Sequence, residues 1–133
     1  MSPARESGPA VGRVAEDLAC RHLEAQGLKL LAANFRCPGS ELDLIMREGD
    51  CVVFVEVRFR RSARYGGGAE SVDRRKQERL GACALYYLQR HPRLARLASR
   101  FDVVAIAPGG SDSAAGPGGE QRIEWIRDAF QFD

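Results

Sequence analysis

Four charged residues stand where hydrocarbon is expected in the stretch that contains the longest apolar run of this 133-residue chain. The stretch is Ser40 to Arg60, SELDLIMREGDCVVFVEVRFR, and it reads as two strands joined by a tight turn at Arg47-Glu48-Gly49-Asp50. Its second half, Cys51 to Arg60, is apolar on both faces through Val57, the pattern of a strand covered on both sides. Glu41 and Asp43 stand in the first strand, Glu56 and Arg58 in the second. Strand alternation predicts Glu41 and Asp43 on one face with Leu42 and Leu44 opposite. It likewise predicts Glu56 and Arg58 together, with Val55 and Val57 opposite. Residues two apart on a strand are separated by roughly 6–7 Å, so matching faces would gather the carboxylates and a guanidinium at one spot.

An unpaired buried carboxylate costs several kcal/mol, so an acid inside VVFVEVRF needs a partner or a cation. Two readings meet that need. One is an internal ion pair, Glu56 with Arg58 or Asp43 with a neighbouring arginine. The other is a hard-cation site, because Mg²⁺ takes oxygen ligands from one or two carboxylates, waters and substrate phosphate. Such an ion lowers the pKa of bound water and stabilises charge on a phosphoryl oxygen.

The rest of the chain supplies the frame. Residues 1–8 read as a flexible tail and 9–133 as one domain. Val11, Val14, Ala15, Leu18, Ala19, His22 and Leu23 mark one face of a helix from about Pro9 to Gln26, with Gly27 as its stop. His22 is expected at the edge of the core. A strand from Leu28 to Phe35 follows, then a turn through Asn34 and Cys37-Pro38-Gly39-Ser40. After the central hairpin, residues 61–71 with Gly66-Gly67-Gly68 read as a mobile loop. A second helix spans about Val72 to Arg90, closed by His91-Pro92. Lys76 falls on its apolar stripe, either snorkelling along the core edge or pointing into a site. Phe101 to Ala107 is a strand, residues 108–119 a low-complexity loop expected to be disordered, and Glu120 to Arg127 an edge strand. The order α-β-β-β-α-β-β implies an α/β fold with a mixed sheet flanked by helices.

Composition narrows the class. With 44% apolar residues the chain can bury one ordinary core. No window approaches the roughly 18 consecutive apolar residues of a membrane span, and the N-terminus lacks the apolar core of a secretory signal. Cys20, Cys37, Cys51 and Cys83 are widely spaced and form no C-x-x-C pair. They are expected to be reduced thiols, neither disulfides nor zinc ligands, in a cytoplasmic protein. Net charge is +2, but residues 58–100 hold twelve basic against three acidic residues, a net +9, leaving −7 elsewhere. A basic segment beside an acidic cluster suits a protein that grips phosphates and holds a cation; a solvated arginine-rich face would give the same count.

Taken together, Gly12-x-x-x-Glu16, Glu41-Leu42-Asp43-Leu44-Ile45, Val55-Glu56-Val57-Arg58 and Lys76-Gln77 resemble the PD-(D/E)xK, or restriction-endonuclease-like, nuclease superfamily. More narrowly the chain looks like the uncharacterised bacterial YraN-like family, whose pattern runs through G-E-I-D-L-I, F-V-E-V-K, a K-Q helix and R-F-D-V-V. The similarity runs from about Gly12 to Ala107, with an echo at Asp128-Ala129-Phe130. Among characterised relatives of that fold, the nearest analogy is with archaeal-type Holliday junction resolvases.

The resemblance implies an Mg²⁺- or Mn²⁺-dependent endonuclease acting on DNA more readily than RNA, on branched, recombination or repair intermediates. Asp43 and Glu56 match the metal-binding acids, and the Val57 carbonyl would be a further ligand. Glu16 matches the first-helix glutamate that often completes the site. Lys76 and Gln77 match helix positions that face it in several relatives; Glu41 matches a position without an assigned role. Arg60, Arg61, Arg64, Arg74, Arg75 and Arg79 would hold the nucleic-acid backbone, and a homodimer would suit a symmetric junction. Two positions depart from the pattern. Ser40 replaces a glycine, which alters only the turn. Arg58 replaces the superfamily's lysine: it can clamp a phosphate, but an arginine cannot serve as general base. Lys76 could supply an amine from the neighbouring helix. The alternative is a nucleic-acid-binding module on the same fold that does no chemistry.

Overall fold

A computed structural model describes residues 10–59, 72–108 and 121–131. The anticipated tail at 1–8, the loop at 61–71 and nearly all of the loop at 108–119 lie outside the described residues, as do Arg60, Arg61 and Arg64. The first helix, α1 (Ala10–Ala25), buries Ala15, Ala19, Cys20 and Leu23 along one face. Gly27 ends it at φ 102°, letting the Leu28 N–H turn back to the Leu23 carbonyl at 3.1 Å. Three strands follow: β1 (Lys29–Cys37), β2 (Ser40–Glu48) and β3 (Cys51–Phe59). The β2–β3 turn needs only Gly49 and Asp50, with Gly49 at φ 57°.

Next come α2 (Arg74–Gln89), α3 (Pro92–Ala95), β4 (Ala98–Pro108) and β5 (Gln121–Phe130). The five strands lie side by side in chain order. Only β3 and β4 run parallel; α2 and α3 make the crossover between them. The anticipated mixed sheet flanked by helices is the observed one.

The two main helices pack on opposite faces. On one side α2 places Leu80, Cys83, Ala84 and Tyr87 against Leu42, Ile45, Val52, Phe54, Phe101 and Val103. On the other α1 places Ala15, Ala19, Cys20 and Leu23 against Leu44, Met46, Val53, Val55, Val104 and Ile106. Residues 52–56 of β3 are buried without a break, which explains why the strand reads apolar on both faces. No helix among the described residues is long and apolar enough to cross a membrane.

Element ends differ from the sequence expectation where a local cap shortens them or strand pairing extends them. The second helix starts after Asp73, whose carboxylate caps it by accepting the Lys76 N–H at 2.8 Å. β4 begins at Ala98, because Ala98, Ser99 and Arg100 pair with Cys51, Val52 and Val53. β5 continues to Phe130, which pairs with Phe101 and stacks on its ring at 4.7 Å.

Two expectations fail. Cys37 and Cys83 form a disulfide, where all four cysteines were anticipated as thiols. The end of β1 lies over α2 and brings the two Cα atoms to 5.7 Å, inside bonding range, although 46 positions separate them in sequence. Cys20 and Cys51 take no part in a disulfide, as anticipated. Strict alternation in β2 also breaks: Leu42 packs on the α2 side and Leu44 on the α1 side.

Candidate functional site

That break has a local cause. β2 and β3 pair from Glu48↔Cys51 to Leu44↔Val55 and no further, so Asp43 and Glu56 stand just past the end of the ladder. On the other edge of β2, Ala33↔Leu44 and Phe35↔Leu42 are paired, while the intervening Asn34–Asp43 pair is absent. Asn34 has φ 53°, a left-handed conformation rare in non-glycine residues and best tolerated by Asn and Asp. The chain is therefore distorted on both sides of Asp43. The Val57 N–H, with no carbonyl partner on β2, donates to Asp43 Oδ2 at 2.8 Å.

Carboxylates from three elements meet there. Glu56 is 5% exposed, and its Oε2 takes an ion pair from Lys76 Nζ at 2.7 Å and another from Arg58 at 3.6 Å. Asp43 has its carboxyl pKa pushed well above the usual carboxylate range. Burial is the main cause, followed by the negative charge of Glu56; Glu16 adds to it, and the Val57 N–H opposes it. Glu16 reaches the group from α1. Its Oε1 accepts a hydrogen bond from Asn34 Nδ2 at 2.9 Å, and the same nitrogen donates to Glu41 Oε2 at 3.1 Å. Glu41 also faces Arg36 at 3.8 Å.

Glu16, Asp43, Glu56, Arg58 and Lys76 are thus one cluster, with Glu41 at its edge. Gln77 stands apart. Its amide donates to the Val72 carbonyl at 2.9 Å, and it lines a surface hollow of about 450 Å³ with Arg74, Glu78 and Leu85. Arg74, Arg75 and Arg79 are exposed on α2. His22 sits at the core edge, edge-on to Trp125 with ring centres 6.4 Å apart.

Sequence reasoning passed over two residues. Asn34 reads as part of a turn, and only its left-handed backbone in mid-strand marks it out. Asp102 hides in an apolar strand and is fully buried. It accepts from Arg100 at 2.9 and 3.1 Å, from Trp125 Nε1 at 2.8 Å and from the Asp128 N–H at 2.9 Å. Arg100 also reaches Glu48 at 2.9 Å, and these partners hold its guanidinium pKa higher still. With four donors satisfied, Asp102 ties β4 to β5 as a structural anchor.

The donor set fits a hard divalent cation in kind: Asp43, Glu56 and the Val57 carbonyl offer only oxygen. Asp43, with its pKa raised partly by neighbouring carboxylates, is a group that a cation would relieve. As they stand, no three acidic, histidine or cysteine side chains among the described residues form a group ready to hold an ion. Lys76 already occupies Glu56, so an arriving cation would compete with an ammonium.

A family comparison covers this site. The sequence model of the uncharacterised protein family UPF0102 matches residues 15–106, from α1 into β4. The chain belongs to this family. A UPF0102 protein of Stutzerimonas stutzeri is 50% identical over 131 residues, 98% of this chain and 99% of the relative. One from Pseudomonas entomophila is 49% identical over 94% of this chain and 96% of its own. Another, from Xanthomonas campestris pv. campestris, is 48% identical over 92% of each. The UPF0102 match includes Glu16, Asn34, Asp43, Glu56 and Lys76; β5 with Trp125 lies beyond it.

Proposed function

We propose that this UPF0102 protein is a metal-dependent endonuclease of the PD-(D/E)xK type that hydrolyses DNA phosphodiester bonds, with branched or repair intermediates as its substrates. The observation that carries the reading is the splaying of β2 from β3 at Asp43 and Glu56, with Glu16, Arg58 and Lys76 gathered around them. Asp43, Glu56 and the Val57 carbonyl would hold Mg²⁺ or Mn²⁺, which when bound polarises the phosphoryl group and eases deprotonation of water.

The chain's own groups divide the remaining work. Arg58 binds the scissile phosphate and balances its charge in the transition state, but cannot take up a proton. Lys76 can both contact the phosphate and exchange a proton, and it reaches the cluster from a different element. In the hydrolysis a water oxygen bonds to phosphorus while a P–O ester bond breaks. The water gives up a proton and the departing oxygen gains one. Arg60, Arg61 and Arg64, with Arg74, Arg75 and Arg79 on α2, would hold the flanking backbone by charge.

A divalent-cation titration of wild type and Asp43→Ala, followed by calorimetry and by nicking of branched DNA, tests this reading. Metal-dependent nicking that Asp43→Ala abolishes is the expected result; metal binding unchanged in the variant would remove the site. A second reading is favoured by the ion pairs that Glu56 already makes with both Lys76 and Arg58. On that reading the domain binds nucleic acid without cutting it, and its salt-dependent affinity survives chelation.

A further inference from the structure

We propose that Asn34 is a positioning residue for the acidic cluster: its side-chain amide fixes Glu16 of α1 relative to β2, and Glu41 orients that amide. The inference rests on reading the cluster as a metal centre, and it assigns Glu41 a role away from the cation itself.

The amide orientation is dictated by its neighbours. Nδ2 lies 2.9 Å from Glu16 Oε1 and 3.1 Å from Glu41 Oε2, and its two hydrogens serve one carboxylate each. Turning the amide over would set its oxygen against two acceptor carboxylates. The orientation is kept although Oδ1 is then buried with no donor. A buried acceptor without a donor is uncommon, so the two carboxylates outweigh it in setting the rotamer. Arg36, 3.8 Å from Glu41, holds the far end of the relay.

The backbone requires the same residue type. At φ 53° the position favours glycine, asparagine or aspartate. Glycine has no amide to donate, and aspartate would add a third acceptor carboxylate. Glutamine has the amide but lacks asparagine's tolerance of this conformation. Asparagine combines the fold's demand with two donors. Because the same distortion removes the Asn34–Asp43 pair from the ladder, one residue both opens β2 at Asp43 and draws Glu16 toward it.

The test is a calorimetric Mn²⁺ titration of the full chain as wild type, Asn34→Gly, Glu16→Gln and the double variant. Glycine keeps the left-handed backbone, so the amide alone is removed. Loss of a group that orients a residue supporting a bound metal costs about 10–100-fold in affinity, and that is the loss expected for Asn34→Gly. Since Asn34 acts through Glu16, the double variant should bind no more weakly than the weaker single. Affinity within about twofold of wild type, or losses that multiply in the double variant, would overturn the proposal; the threshold allows for ordinary additivity error. A metal-free urea-unfolding cycle on the same four proteins separates the two failures. If wild type binds no Mn²⁺, the metal reading fails on its own. The Asn34–Glu16 link then stands or falls on whether Glu16→Gln changes the folding constant by a factor at least about twofold different in the Asn34→Gly background. Equal factors would sink it.

Discussion

Asp43 carries a stability cost that its chemistry explains. Its folded-state pKa is raised, so at acid pH, below the unfolded value near 3.8, both states are protonated and no cost arises. As pH rises, the unfolded chain ionises first, and stability falls until pH passes the raised folded value. Asp43→Asn keeps an oxygen for the Val57 N–H and removes the charge. The variant should be more stable than wild type at neutral pH, with an advantage that shrinks as pH drops toward 3.8. Urea midpoints across a pH series measure this; an advantage that does not change with pH would contradict it. Lys76 bears on the same balance. Lys76→Met should bind divalent cations several-fold more tightly, because Glu56 loses a competing ammonium. It should also cleave about 10²–10³-fold more slowly, the usual cost of losing one donor to a developing oxyanion. Metal affinity that falls together with cleavage would show that Lys76 supports the ion. The acids and the lysine were legible because charges in apolar patterns demand a reason. Asn34 was not, since a left-handed backbone in mid-strand is a product of pairing that no local pattern displays.

The hairpin was legible almost whole: Gly49-Asp50 marks its turn, and continuous apolar character marks β3 as central. What alternation could not show is the point where β2 leaves β3, because the end of a ladder is a property of two strands and not of the local pattern. The edge at β1 explains Cys37–Cys83. One cysteine ends β1 and the other is buried in α2, so the bond ties the strand that bears Asn34 to the helix that bears Lys76. A loop closed over 46 positions is expected to contribute about 4 kcal/mol through the entropy of the unfolded chain. Reductant should therefore lower the melting temperature of wild type and leave Cys37→Ser unaffected. Peptide mapping without reductant should recover the cross-linked pair. A melting temperature indifferent to reductant would show that the bond does not form in solution.

Across the whole molecule the acidic cluster and the arginine-rich segment are tied by α2. This helix turns Lys76 inward to Glu56 and leaves Arg74, Arg75 and Arg79 outside. Arg74 is partly spent on Glu78 at 4.0 Å, whereas Arg75 and Arg79 are four positions apart and so share one exposed face. A duplex whose phosphate reaches Lys76 would run its backbone beside that face. If both arginines neutralise phosphates, the Arg75→Ala/Arg79→Ala double variant should bind all DNA sequences more weakly. The slope of log affinity against log salt should then shrink by up to about 1.8, or about 0.9 per lost contact. Fluorescence anisotropy from about 50 to 200 mM salt covers the range in which such contacts change affinity by orders of magnitude. An unchanged slope would take α2 out of the interface. Arg60, Arg61 and Arg64 would then be left to carry the backbone, and Lys76 would act on Glu56 alone.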